Sequence, residues 1–115
     1  MFAINFYSQI YVDMLRKGRK TATIRLGDKS HKYVAGMLVW ITTGRRFGPR
    51  QKLFTAIIDD VRVCPISDLT PREIERESPE VRSQDDLIKL LEMIYSDDLT
   101  PADLVTVVHF SQVID

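Results

Sequence analysis

The sequence predicts an α+β domain: a small closed β-barrel of about five to six strands, decorated by three short helices. Three observations predict it. Apolar and β-branched segments with two-residue alternation recur along the chain. Between them lie three stretches with helix-start signals and helical apolar spacing. The 115 residues, 44% hydrophobic and 28% charged, suit one globular domain over positions 1–115.

Phe2, Ile4 and Phe6 alternate with Ala3, Asn5 and Tyr7 as a first strand. Ser8 is positioned to cap a helix carrying Ile10, Tyr11, Met14 and Leu15. Gly18 follows the basic last turn Arg16-Lys17 and stops it. In the strand Lys20–Leu26, alternation puts Thr21, Thr23 and Arg25 on a polar face and Ala22, Ile24 and Leu26 on an apolar one. Lys20 and Thr23 can act together only if Lys20 lies in the turn before the regular strand. A polar loop, 27–36, leads to a strand over Met37–Thr43, whose Trp40 is expected in the core. A basic Gly/Pro loop, 44–52, joins it to a long strand over Phe54–Val63, interrupted at Asp59-Asp60, and the two strands form a hairpin. Thr70-Pro71-Arg72-Glu73 is a capping box with proline at the first helical position. Ser78-Pro79 ends that helix near Glu77. Ser83 caps a third helix with a Leu87, Leu90, Leu91, Ile94 stripe, and Leu104–Phe110 closes the chain as a strand.

Charge is divided along the chain. Residues 1–52 carry 11 Lys/Arg and two Asp, a formal +9, and the rest carries five bases and 14 acids, a formal −9. The positive half can attract phosphate, or the halves can pair with each other. The single cysteine, Cys64, excludes an internal disulfide and reads as a small core residue. The two histidines, His31 and His109, lack metal-ligand spacing, and there is no Gly-rich phosphate cradle. No metal and no cofactor are expected. The chain shows neither a signal-peptide pattern at its start nor an apolar run long enough for a bilayer, so a cytoplasmic protein without membrane contact is expected.

Gly18-Arg19-Lys20-Thr21-Ala22-Thr23-Ile24-Arg25, sitting after a helix and opening a strand, resembles the signature of the ASCH family. Gly36 before an apolar strand, the Leu69-Thr70 helix start and the closing Val107-Val108-His109-Phe110 agree with it, so the resemblance covers nearly the whole chain. It implies a PUA-like barrel with a pocket between barrel and helices, and nucleosides or single-stranded RNA as ligands. One branch is similar to small amidohydrolases that deacetylate N4-acetylcytidine with a Lys, a Thr three residues on and a Glu from the helix after the long strand. Those positions match Lys20, Thr23 and Glu77. The basic loop is longer and more cationic than in that branch, and the tail from Asp97 differs.

The residue chemistry fits this and its alternatives. A threonine hydroxyl needs a base beside it, and Lys20 serves only if burial lowers its pKa. Glu77 can protonate a leaving amine or hold Lys20, while Glu73 is consumed by the capping box. Arg25 suits a phosphate or a base edge, with Thr21 as the alternative hydroxyl. Arg45, Arg46, Arg50 and Lys52 surround Phe47, a set that can grip an RNA backbone and stack an unpaired base, or simply form a solvated hairpin tip. Three functions follow: an amidohydrolase on N4-acylated cytidine, a non-catalytic RNA-binding module, or a ribonuclease in which Lys20 and Arg25 stabilise the phosphate transition state.

Overall fold

The computed structural model describes residues 1–7, 9–45, 47–78 and 80–114, with the backbone alone at Ile10. The expected Ser8 cap, Arg46 and the Pro79 half of the helix stop lie outside the described residues. The elements run β1 (Ala3–Phe6), α1 (Gln9–Arg16), β2 (Ala22–Leu26), β3 (Leu38–Gly44), β4 (Arg50–Pro65), a 3-10 turn (Ile66–Asp68), α2 (Pro71–Glu77), α3 (Gln84–Tyr95) and β5 (Leu104–Gln112). The fold is α+β, with five strands and three α-helices among the described residues.

The strands form one mixed sheet in the order β1-β3-β4-β5-β2. Only β1 against β3 is parallel, with Ala3 opposite Trp40 and Phe6 opposite Thr43. In a flat sheet β1 and β2 would stand roughly 19 Å apart, four strand spacings of about 4.8 Å. Instead Arg25 Nη2 on β2 donates to the Asn5 carbonyl on β1 at 3.0 Å. The sheet therefore curls into a half-barrel, and a side chain, where a ladder would otherwise run, spans the seam between its two edges.

Two apolar cores follow from strand alternation. Val108 and Phe110 of β5 point into the barrel with Ile4, Phe6, Val39, Ile41, Ile58 and Leu15 of α1. Val105 and Val107 point outward, where Ile74 of α2 and Leu87 and Leu91 of α3 cover them together with Ile24. The helices cover only part of the outer face. That is why Trp40, expected in the core, is 43% exposed: Val39 and Ile41 take the inward positions of β3, and the outward Leu38 and Trp40 lie outside the part of the sheet that the helices cover.

Two further expectations are revised. Asp59-Asp60 does not interrupt the long strand but is absorbed as a bulge between Ile58 and Asp60. The hairpin ladder also reaches further than the Gly/Pro content of 44–52 suggests, pairing Thr42 with Lys52 and Gly44 with Arg50, so the connecting loop shrinks to 45–49.

Candidate functional site

A recess opens at the seam. Asn5, Phe6 and Tyr7 of the β1 edge form one wall, and Thr23, Ile24 and Arg25 of β2 the other. Tyr11 of α1, Glu77 of α2 and Ile94 and Tyr95 of α3 complete it, around about 410 Å³ including the open mouth. No strand fills this gap because β1 and β2 are both sheet edges, so polar side chains hold it instead.

Local sequence explains how each functional group arrives. The left-handed Gly18 ends α1, and the amides of Arg19 and Lys20 return to the Met14 carbonyl at 2.8 and 3.3 Å. This turn leaves Lys20 just ahead of β2, with its side chain directed inward and the residue only 1% exposed. On the other side, the Thr70 capping box starts α2, and Ser78, restricted by the proline that follows, is extended and stops it. Glu77 is thereby the last helical residue.

Lys20 Nζ donates to the Ala22 carbonyl at 2.8 Å, to the Glu77 carbonyl at 2.6 Å and to Glu77 Oε2 at 3.2 Å, with the Arg76 carbonyl at 3.4 Å. The ammonium thus caps the C-terminal carbonyls of α2 as well as pairing with its final carboxylate. Glu77 Oε2 also accepts from the Ile24 amide at 3.0 Å. Rings of Tyr11 and Phe6 lie 4.8 and 5.5 Å from Nζ. Burial pushes Lys20 below the ordinary lysine range, against the pull of the Glu77 carboxylate. The same burial, with the Glu77 charge, raises the Tyr11 phenol above its ordinary value.

Thr23 is 2% exposed, and its Oγ1 accepts from Arg25 Nε at 3.1 Å. Arg25 thus makes two contacts, one to Thr23 and one across the seam, and its guanidinium carbon lies 5.2 Å from the Phe6 ring centroid. Among the described residues no hydrogen bond joins Lys20 to Thr23. Lys20 lies behind the recess wall, with Glu77 between it and the opening.

The structure therefore brings Lys20, Thr23, Arg25 and Glu77 together. It does not bring in Thr21, which precedes β2 and is exposed, so the polar face begins at Thr23. Nor does the basic segment line the recess. Arg45 and Arg50 flank a separate groove, Phe47 is 95% exposed at the hairpin tip, and Lys52 stands on β4 with Nζ 5.3 Å from the Trp40 ring centroid. Arg46 lies outside the described residues. Sequence reasoning missed Asn5 and Tyr95. Asn5 left a signal, an amide in an otherwise apolar strand, whereas Tyr95 left none. Cys64 is buried with its thiol raised by burial, and among the described residues no three His, Cys, Asp or Glu side chains cluster as a metal site. Nor is any helix among them long and apolar enough to cross a membrane.

No protein-family model and no curated protein matches the sequence. Solved structures do match. The ASCH domain from Lactobacillus crispatus JV V101 superposes with a TM-score of 0.69 at 16% identity, covering 96% of this chain and 77% of that one. Protein EF3133 from Enterococcus faecalis V583 gives 0.63 at 19% identity, over 89% of this chain and 69% of that one. Protein PF0455 from Pyrococcus furiosus gives 0.60 at 14% identity, over 97% and 96%.

Proposed function

The chain has an ASCH-domain fold, and from that premise we propose that the seam recess takes a nucleoside and hydrolyses the amide of an N4-acylated cytidine. The observation that carries this reading is the Glu77 carboxylate on the recess wall, fixed by the Ile24 amide and backed by the buried Lys20, beside the Thr23 hydroxyl of the same strand. Arg25 and the rings of Phe6, Tyr11 and Tyr95 complete a pocket suited to a flat polar base.

Thr23 Oγ1 forms a bond to the acyl carbon, and the carbonyl electrons move to its oxygen. The hydroxyl proton passes to the Lys20–Glu77 pair. Arg25, donating at Thr23 Oγ1, orients that hydroxyl and eases removal of its proton. Collapse breaks the C–N4 bond, and the pair returns the proton to the departing amine of cytidine. Water then hydrolyses the acyl-threonine ester, releasing the carboxylic acid and restoring the hydroxyl.

The test is product analysis by mass spectrometry with N4-acetylcytidine. Wild type should yield cytidine, and Thr23→Ala should lose at least about 100-fold in rate. Absence of turnover in wild type removes the reading, and full activity in Thr23→Ala removes the nucleophile assignment.

A second reading, a non-catalytic RNA-binding module, is favoured by the Lys52 ammonium over the half-exposed Trp40 and by the exposed ring of Phe47. RNA affinity that falls steeply with salt, without any turnover, would select it.

A further inference from the structure

The recess is not isolated. Tyr7, which is 47% exposed, lines it and also lines the groove beside the hairpin, a hollow of about 750 Å³ including its mouth. That groove presents the guanidinium-bearing Arg45 and Arg50 with Gln9 and Gln51, and no acid among its described lining residues. The recess holds both signs of charge, Arg25 and Glu77, whereas the described lining of the groove holds positive charge and neutral polar groups.

The two hollows are also mechanically joined through β1. The Asn5 carbonyl accepts from Arg25 in the recess, while its side-chain Nδ2 donates to the Gly44 carbonyl at 3.0 Å and its Oδ1 accepts from Thr42 at 2.8 Å. Thr43 Oγ1 donates to the Phe6 carbonyl at 3.1 Å. The hairpin base is pinched at Gly44, which has φ +150° and where an added Cβ would meet the Pro49 carbonyl oxygen at 2.4 Å. The backbone at the base of the cationic hairpin is thus tied to the strand that walls the recess.

We infer that this groove is a phosphate subsite and that the molecule entering the recess is a phosphorylated nucleoside: its base lies in the recess, its ribose passes Tyr7, and its phosphate is held by Arg45 and Arg50. The inference rests on the nucleoside reading of the recess and names the substrate class for it. The phosphate belongs either to a mononucleotide or to the backbone of an RNA strand. Guanidinium groups suit both, because they hold phosphate oxygens with paired donors.

Titration calorimetry on the full chain tests this with cytidine, cytidine 5′-monophosphate, cytidine 3′-monophosphate and a short cytidine-containing oligoribonucleotide. At least one phosphorylated ligand should bind about tenfold or more tighter than cytidine, with an advantage that shrinks as salt rises. A gain with a monophosphate assigns the site to mononucleotides, and a gain with the oligoribonucleotide alone assigns it to RNA. The Arg45→Gln, Arg50→Gln double variant should collapse the ratio to within about twofold, and Gln51→Glu, which adds a negative charge to the groove, should do the same. Cytidine binding with no gain from any phosphate overturns the subsite and leaves the nucleoside reading intact. A gain that survives both variants also overturns it. Failure of every cytidine derivative to bind removes the nucleoside reading, and the subsite with it.

Discussion

Two of the three carboxylates on helix α2, Glu73 and Glu77, stand one turn apart, and each meets a cation from a different part of the sheet. Glu73 pairs with Arg62 of β4, where the two side chains are 13% and 39% exposed. Glu77 pairs with Lys20 ahead of β2, where they are 6% and 0% exposed. The outer carboxylate also closes the capping box: it accepts from the Thr70 amide at 2.9 Å while the Glu73 amide donates to Thr70 Oγ1 at 3.2 Å. The inner one accepts from a strand amide and from an ammonium whose described partners are all protein oxygens. Both ends pair a carboxylate with a cation, and burial separates them. Water can take over either partner of the outer pair, whereas separating the inner pair strands a charge in the protein. The inner end is therefore where stability and proton chemistry depend on each other.

Breaking the inner pair has the largest expected effect. Lys20→Met leaves the Glu77 carboxylate and two helix carbonyls without their ammonium and should cost about 3–5 kcal/mol in chemical denaturation. Adding Glu77→Gln to it should recover part of that loss, because no orphan charge then remains. A Lys20→Met protein within about 1 kcal/mol of wild type would mean that water reaches the carboxylate and that the pair is not closed as described.

Next in size is the seam. Arg25 uses separate nitrogens for Thr23 and for the Asn5 carbonyl, so Arg25→Lys keeps the charge but cannot reproduce both contacts. We expect a loss of about 1.5–3 kcal/mol, of the order of charge-assisted hydrogen bonds, and thermal melts of the Lys and Ala variants that nearly coincide. A Lys variant as stable as wild type would show that charge alone bridges β1 and β2.

These two predictions involve residues that the sequence made legible to different degrees. The capping box at Thr70 and Glu73 is a local pattern, as are the Gly18 stop and the strand alternation of β2, and each was readable without tertiary context. Lys20, Thr23 and Glu77 emerged together only through a resemblance to a family, because the contact between Lys20 and Glu77 spans 57 positions. Nothing local marks Lys20 as a buried lysine, a residue type rarely fully enclosed. Trp40 was misread for a related reason. Its strand looked wholly apolar, and which face the helices cover is decided by α2 and α3 folding back over β5. The hairpin was misjudged because Gly and Pro at 44–49 mark a turn without fixing how far the ladder runs.

The smallest expected effect is at the outer pair, and it comes with a pH signature. Glu73→Gln keeps a residue that can still close the capping box, so it isolates the charge. The cost near neutral pH should be below about 1 kcal/mol. Partial burial raises the Glu73 pKa, but the Thr70 amide and the Arg62 guanidinium outweigh it and hold the carboxyl below its ordinary value. In the window between that lowered value and the ordinary one, the unfolded chain binds more protons than the folded one, so stability rises with pH there. The contribution of Glu73 is therefore fully present above the ordinary carboxylate range and is lost as pH falls through the lowered value. Denaturation curves of wild type and Glu73→Gln should accordingly stand slightly apart at pH ~6 and converge toward pH ~2. Curves that stay equally separated at both ends would place the difference in packing rather than in charge, and the contrast between the two ends of α2 would then rest on something other than their ion pairs.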